Sequence, residues 1–233
     1  MHCKYNECNG TGFIPVTLET GEQEFKPCRC RLDKASQDSL RKKLIEANIP
    51  TNYWEYTIDN YLSLSFPPSV REHNKKNVEL ITEFVHNPVK FITGKQVLWI
   101  WGPDDNACHT TLAVILGTEL IKANYKVLFT TFSKLLGKFV DFDNKEKVEK
   151  ELKGKDVYII DDAFDMSRCA PGTYRQGQLF SFLDEILSNS KHIICTSNRP
   201  PDNIDPTFSQ SKIILTRSLR DLELRGNVGN YLP

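Results

Sequence analysis

The stretch that decides the fold is Val97 to Ala113, VLWIWGPDDNACHTTLA, in which an apolar run is followed by a polar turn. The run from Val97 to Trp101 ends at Gly102-Pro103, and this dipeptide is a strong signal for a turn. Leucine and isoleucine then recur between Leu112 and Ile121 at the spacing of one helix face. The stretch therefore predicts a buried strand, a short loop and a helix that packs on the sheet.

Strand, loop and helix in this order are typical of a phosphate-binding P-loop, GxxxxGK[ST], which supplies backbone amides, a lysine for the phosphates and a hydroxyl for Mg²⁺. Placed on Gly102, this template puts Ala107 at the second glycine. Cys108 and His109 then stand at the lysine and hydroxyl positions. Two alternatives remain open: an ordinary turn, or a pattern shifted by one residue in which His109 and Thr110 replace the lysine and the hydroxyl residue. The candidate nucleotide-binding residues are Gly102, Pro103, Asp105, Ala107, Cys108, His109 and Thr110.

The loop also carries two carboxylates, Asp104 and Asp105, which would repel phosphate groups. A hydrogen bond to a charged group contributes about 1.5–3 kcal/mol, and the lysine that would supply it is missing. We therefore expect little or no ATP hydrolysis. ATP or ADP with Mg²⁺ are poorly supported as cofactors at this stage.

Composition limits the class of protein and its compartment. The 233 residues are 39% hydrophobic, which is enough to bury a core. The 30 basic and 30 acidic side chains give no net charge, which argues against a protein that coats nucleic acid through its overall charge. No apolar run reaches the roughly 18 residues that cross a membrane, and the N-terminus has no signal-peptide pattern. We expect a cytoplasmic protein with no membrane contact.

Four of the seven cysteines lie in the first thirty residues, as two close pairs on either side of a predicted hairpin between Gly12 and Lys26. Two thiolate pairs brought together in this way can form a tetrahedral Zn²⁺ site, which would fold a segment too small to have a core. The alternative is four free thiols, and His2 could replace one of them. The candidate zinc ligands are Cys3, Cys8, Cys28 and Cys30.

A basic helix from Leu32 to Ala47 is predicted next, and its polar face is either solvated or a contact surface for a partner or DNA. Pro50 ends this helix. The aromatic segment from Tyr53 to Leu62 is predicted as an irregular docking segment. We place the domain boundary after residue 60, with a zinc-binding domain and linker at 1–60 and the main domain at 61–233.

The main domain is predicted as apolar strands that alternate with helices, which implies a three-layer α/β fold with a parallel sheet. Besides the opening stretch, strands are expected at Lys126–Thr131, Asp156–Asp162 and His192–Ser197. Helices are expected at Ser69–His86, Phe132–Val140 and Gln178–Leu187, with a short one between residues 141 and 155.

Acids and other polar residues follow two of these strands. Asp161 and Asp162 end one strand, and Thr196, Ser197 and Asn198 end the next. At the carboxyl edge of an open α/β sheet, the first acid can hold Mg²⁺ while its neighbour orients a water. Helix capping is the alternative role for each group, but their joint placement favours a P-loop ATPase.

The chain resembles the AAA+ helicase loaders of the DnaC/DnaI type, especially phage-encoded ones. The resemblance covers nearly the whole chain and rests on the order of CxGTGF, CxCR, N-I-P-x-x-Y, the P-loop (Walker A) position, IIDD (Walker B) and TSN. It implies an AAA+ P-loop ATPase fold with a small N-terminal zinc-binding domain that contacts the hexameric, DnaB-type replicative helicase. It also implies binding of ATP and single-stranded DNA by the AAA+ domain.

Individual roles follow from the same resemblance. Asp161 and Asp162 match Walker B, Asn198 matches sensor 1, and Arg217 matches the arginine finger. The helix from Phe132 to Val140 matches the DNA-contacting initiator-specific region, with Phe132, Lys134, Lys138 and Phe139 as its candidate DNA-binding residues. The missing Walker A lysine, and a C-terminal GNVGNYLP without a sensor 2 arginine, depart from the family pattern and bear on ATP turnover.

Three functions remain open on the sequence. The first is a helicase loader that acts mainly as a binding adaptor with an impaired nucleotide site. The second is an active AAA+ loader, or an ATPase of the related IstB type, with the shifted P-loop. The third is an inhibitor that occupies a host helicase. Assembly into a homo-oligomer is compatible with each of them.

Overall fold

The computed structural model describes residues 3–65, 75–88, 97–101, 109–140, 152, 154–163, 192–198 and 212–215. The predictions for the loop at 102–108, for the helix at 178–187 and for Arg217 lie outside these residues. The chain divides into an N-terminal unit, Met1–Ile45, and a C-terminal unit, Glu46–Pro233. The predicted boundary after residue 60 thus falls within the C-terminal unit.

The N-terminal unit is a hairpin followed by a helix. Strands β1 (Phe13–Thr17) and β2 (Gln23–Pro27) pair antiparallel, with Phe13 opposite Pro27, which confirms the predicted hairpin. Gly21 closes the turn with φ 85°, a conformation that favours glycine. Helix α1 (Arg29–Glu46) begins earlier than predicted, directly after Cys28.

The C-terminal unit contains the predicted parallel sheet. Its strands are β3 (Val97–Trp101), β4 (Val127–Thr131), β5 (Val157–Asp161), β6 (His192–Ser197) and β7 (Lys212–Leu215). They lie in the order β4-β5-β6-β3-β7, and all neighbouring strands are parallel. Strand β3, which belongs to the stretch Val97 to Ala113, therefore lies inside the sheet, between β6 and β7.

Helices α2 (Ile58–Ser65), α3 (Lys75–His86), α4 (His109–Lys122) and α5 (Phe132–Val140) accompany this sheet. Helix α4 is buried along most of its length and packs close to β5. A Cβ atom at Gly117 would lie 2.3 Å from the Cδ1 atom of Ile159, so a larger residue at this position would require the Ile159 side chain to move. None of the described helices is long and apolar enough to cross a membrane.

The prediction of an irregular segment at residues 53–62 is wrong in part. A 3₁₀ turn covers Thr51–Tyr53, and α2 begins at Ile58. The Thr57 hydroxyl accepts a hydrogen bond from the Asn60 amide at 3.3 Å, which caps the helix and explains its start. The segment does dock, as predicted, since Tyr61 is only 1% exposed and α2 contacts α4.

Candidate nucleotide and metal sites

The candidate nucleotide site lies where β5 and β6 end and α4 begins. Both strands are parallel neighbours in the sheet, so their carboxyl-terminal residues meet at the same edge. Asp161, the last residue of β5, is 8% exposed, and Thr196 of β6 is fully buried beside it. An acid in so apolar a setting needs hydrogen-bond partners.

Two threonine hydroxyls supply these partners. The Thr110 hydroxyl donates to Asp161 Oδ1 at 2.7 Å, and the Thr196 hydroxyl donates to the same oxygen at 2.6 Å. The residue of α4 that reaches the acid is therefore Thr110. His109, which the template on Gly102 puts at the hydroxyl position, has no hydroxyl group and is only 5% exposed. The geometry agrees with the pattern shifted by one residue.

The second acid, Asp162, lies in a tight turn just after β5. Its φ of 52° is left-handed, a region that few non-glycine residues adopt, although aspartate does so more readily than most. Its amide donates to the Thr196 hydroxyl at 3.0 Å, and the next amide, of Ala163, donates to the Thr196 carbonyl at 2.7 Å. The Asp162 side chain is exposed at the sheet edge.

The other predicted nucleotide-site residues are placed only in part. Asn198, the predicted sensor 1 residue, is exposed directly after β6, on the same edge as Asp161. The prediction that Thr196 lies beside the two acids is confirmed, but its hydrogen bonds with them were not predicted. The sequence offers one signal for these hydrogen bonds, which is that Thr196 is a polar residue directly after the apolar run that ends at Cys195.

The four N-terminal cysteines form a cluster. Their sulfur atoms all lie within 4.8 Å of one another. The Cys3 and Cys28 sulfurs are 3.7 Å apart, and those of Cys8 and Cys30 are 3.5 Å apart. In a tetrahedral site with Zn–S bonds of about 2.3 Å, the sulfurs would be about 3.8 Å apart. The four side chains could thus bind a metal ion, and the predicted ligand set is brought together by the fold.

Two tight turns and the hairpin build this cluster. The Asn6 amide donates to the Cys3 carbonyl at 3.0 Å, and the Thr11 amide donates to the Cys8 carbonyl at 2.9 Å. Gly12, with φ 81°, directs its amide to the Cys8 sulfur at 3.2 Å. An amide donor at this distance stabilises the negative charge of a thiolate, as residues around metal ligands commonly do.

The thiols of the cluster differ in acidity. Burial acts to raise the pKa of Cys3, but the backbone amides of Cys8, Glu7 and Tyr5 lower it from 9.0 to about 6. Burial, together with the neighbouring cysteines, raises the pKa of Cys30 to about 12. Four thiolates would therefore not coexist at neutral pH without a cation that stabilises them.

Cys195 lies apart from this cluster, in the middle of β6. It is fully buried, and burial raises the pKa of its thiol. A buried, protonated thiol behaves as a small apolar side chain. Cys195 is therefore a core residue of the sheet.

The predicted DNA-contacting helix is present as α5, directly after β4. Lys134 is exposed and Lys138 half-buried, but Phe132 is only 3% exposed. Phe132 belongs to the core because it directly follows the buried strand, so it is not available to stack on a base. The Phe139 side chain lies outside what the structure describes.

The strand order is that of an AAA+ P-loop ATPase domain. The hydrogen bond from the α4 hydroxyl of Thr110 to Asp161, the acid that ends β5, is also that of such a domain. Residues 84–217 match the family model of the bacterial DnaA ATPase domain. Since this match covers more than half of the 233 residues, the chain belongs to that family. The expected AAA+ fold is thereby confirmed.

Individual relatives agree with this assignment. The chromosomal replication initiator protein DnaA of Streptococcus agalactiae is 26% identical over 114 residues, which are 46% of this chain and 24% of that protein. The match thus spans about a quarter of that relative's length.

Two solved structures share the fold. AMPPCP-bound DnaA from Aquifex aeolicus has a TM-score of 0.55 at 20% identity, over 70% of this chain and 50% of that chain. The DnaC helicase loader has a TM-score of 0.54 at 19% identity, over 72% of this chain and 99% of that chain.

Proposed function

We propose that this protein is a DNA replication factor of the helicase-loader class, which binds a DnaB-type replicative helicase and single-stranded DNA. The observation that carries the proposal is a four-cysteine unit in the same chain as a DnaA-family ATPase domain. The N-terminal unit is the proposed helicase-binding part, and the AAA+ domain is the proposed DNA-binding part. The fold shared with the DnaC helicase loader supports this choice.

The proposed metal of the N-terminal unit is Zn²⁺. A set of four sulfur ligands at tetrahedral spacing is the usual structural site for this ion. The ion would neutralise part of the thiolate charge and join the segment before β1 to the start of α1. Its role in the proposed function is to fold the surface that binds the helicase.

The proposed nucleotide site is impaired rather than lost. The proposed counterparts of the hydroxyl and carboxylate that hold Mg²⁺ in P-loop enzymes are Thr110 and Asp161, which share a hydrogen bond of 2.7 Å. The lysine that would hold the phosphates has no counterpart, because His109 precedes Thr110 in the sequence. Nucleotide would then bind weakly through backbone amides at the start of α4, and the protein would act mainly as an adaptor.

Capture of a DnaB-type helicase by the purified protein tests this function, with and without ATP. We expect equal capture in both conditions, and equal capture by Asp161→Asn, whose amide oxygen can still accept the two threonine hydroxyls. ATP hydrolysis should be at background in both proteins. Strand unwinding by the captured helicase then shows whether the protein loads or inhibits it.

An active ATPase is the second candidate, and the Thr110–Asp161 hydrogen bond is the specific observation that favours it. Its outcome in the same experiment is different. Wild-type protein would hydrolyse ATP, and Asp161→Asn would lose both hydrolysis and helicase loading. That result would replace the adaptor proposal.

The lysines of α5 provide the test of the proposed DNA contact. Replacing Lys134 and Lys138 by alanine should weaken binding of a single-stranded oligonucleotide, because each lysine that contacts a phosphate releases counterions. The slope of log affinity against log salt should fall by about 1.4 for two lost contacts. Lys122 and Lys126, which are exposed and lie outside α5, give a matched control with the same loss of charge. An unchanged slope in the α5 variant would remove these lysines from the DNA site.

A further inference from the structure

Thr196 contacts three consecutive residues at the end of β5. Its hydroxyl donates to Asp161 Oδ1 at 2.6 Å and accepts from the Asp162 amide at 3.0 Å. Its carbonyl accepts from the Ala163 amide at 2.7 Å. We propose that Thr196 is a positioning residue of the nucleotide site, which orients Asp161 toward a bound divalent cation and fixes the turn that carries Asp162. This inference rests on the proposed nucleotide site.

The first step of the argument concerns the Asp161 carboxylate. Each carboxylate oxygen has about two lone-pair sites, and Oδ1 accepts one hydrogen bond from Thr110 and one from Thr196. Oδ1 is thus occupied, and the structure gives no hydrogen bond to Oδ2 within the part of the chain that it describes. Oδ2 is then the oxygen left for a hard cation such as Mg²⁺, which prefers carboxylate and phosphate oxygens.

The second step concerns the fixed orientation. Thr110 lies at the start of α4 and Thr196 lies in β6, so the carboxylate is held from two different elements. Loss of one donor would let the carboxylate rotate and offer either oxygen to the cation. Partners that orient a metal-binding group in this way typically change metal affinity by about tenfold to a hundredfold when they are removed.

The third step concerns Asp162. Its left-handed backbone is unfavourable for a residue with a Cβ atom, so it needs support from its surroundings. The Thr196 hydroxyl provides side-chain support by accepting from the Asp162 amide, and the backbone carbonyl of the same residue, which any residue here would supply, accepts from the Ala163 amide. The same threonine therefore positions the buried acid and the exposed acid, although it is not itself expected to touch nucleotide.

The experiment measures binding of a fluorescent ATP analogue to the full chain as Mg²⁺ is varied. Thr196→Val keeps the shape of the side chain and removes its hydroxyl, and Thr196→Ser restores the hydroxyl. We expect Thr196→Val to raise the Mg²⁺ concentration for half-maximal binding about tenfold or more, and Thr196→Ser to stay within about twofold of wild type. Binding in EDTA should be the same in all variants, because the hydroxyl acts through the cation.

A matched control and a second background make the outcomes distinct. Thr130→Val removes a hydroxyl from β4 and should leave the Mg²⁺ dependence unchanged, because in the part of the chain that the structure describes this hydroxyl donates only to the adjacent Thr131 carbonyl. The series is repeated with Cys108→Gly and His109→Lys, which should strengthen nucleotide binding. If Thr196→Val leaves the Mg²⁺ dependence unchanged, or if Thr196→Val and Thr130→Val change it equally, the proposed role of Thr196 is overturned. Absence of Mg²⁺-dependent binding in both backgrounds overturns the proposed nucleotide site, and the role of Thr196 with it.

Discussion

The double substitution Cys28→Ser and Cys30→Ser is expected to unfold the N-terminal unit and leave the parallel sheet of the C-terminal unit folded. The described core cluster of this unit consists of Cys3, Cys8 and Cys28, with Ile14 and Cys30 packed against it, so few apolar contacts remain without a metal. Structural Zn²⁺ sites contribute about 10–16 kcal/mol, which exceeds the net stability of most small domains.

Metal analysis and amide NMR provide the measurement. Wild-type protein should carry close to one Zn²⁺ per chain, and the double variant should carry none and lose the dispersed signals of residues 3–45. Cys195→Ala is the matched control, since it removes a thiol from β6 and should leave the metal content unchanged. Metal-free wild-type protein with well-dispersed signals from this unit would contradict the zinc site.

The second large effect is a gain of nucleotide affinity when the missing lysine is supplied at the correct position. The Thr110–Asp161 hydrogen bond implies that this position is His109. Cys108→Gly with His109→Lys places Gly-Lys directly before Thr110. We expect ATP to bind about tenfold to a hundredfold more tightly, because a hydrogen bond between charged groups contributes about 1.5–3 kcal/mol.

The matched variant follows the template on Gly102 and combines Ala107→Gly, Cys108→Lys and His109→Thr. It supplies the same residue types one position earlier, so it should bind ATP no better than wild type. Titration with a fluorescent ATP analogue compares the two. A gain only in the second variant would mean that position 109, not Thr110, supplies the hydroxyl. No gain in either would show that the missing lysine is not what limits binding.

The strands that could be predicted are those with long apolar runs. Val97–Trp101 is a continuous apolar segment and Val157–Asp161 is apolar up to its final acid, which is typical of buried parallel strands. Strand β7, Lys212–Leu215, was missed because it offers only three apolar residues in a polar region. Helix α2 was missed because it is short, so few apolar residues show its helical spacing. The aromatic residues before it also show no helical pattern.

The candidate sites were predictable to different degrees. The cysteine cluster follows from local spacing, because a hairpin is enough to bring its two pairs together. Asp161 also follows from its place at the end of an apolar strand. The hydroxyl partner of Asp161 does not follow from the sequence, because the P-loop template only counts residues along a loop. Only the folded chain places Thr110, fifty-one positions away in sequence, against the acid.

The pairing order of the strands has a consequence for the time at which each part of the chain can fold during synthesis. The hairpin, its cysteines and α1 are complete once residue 46 has left the ribosome, so the N-terminal unit can bind its proposed metal early. Strand β3 lies between β6 and β7 and pairs with both, and these two are the last of the described strands to be made. Its apolar residues therefore stay unpaired until nearly the whole chain has been made. Such long-range pairing is intrinsically slow and exposes nascent chains to aggregation.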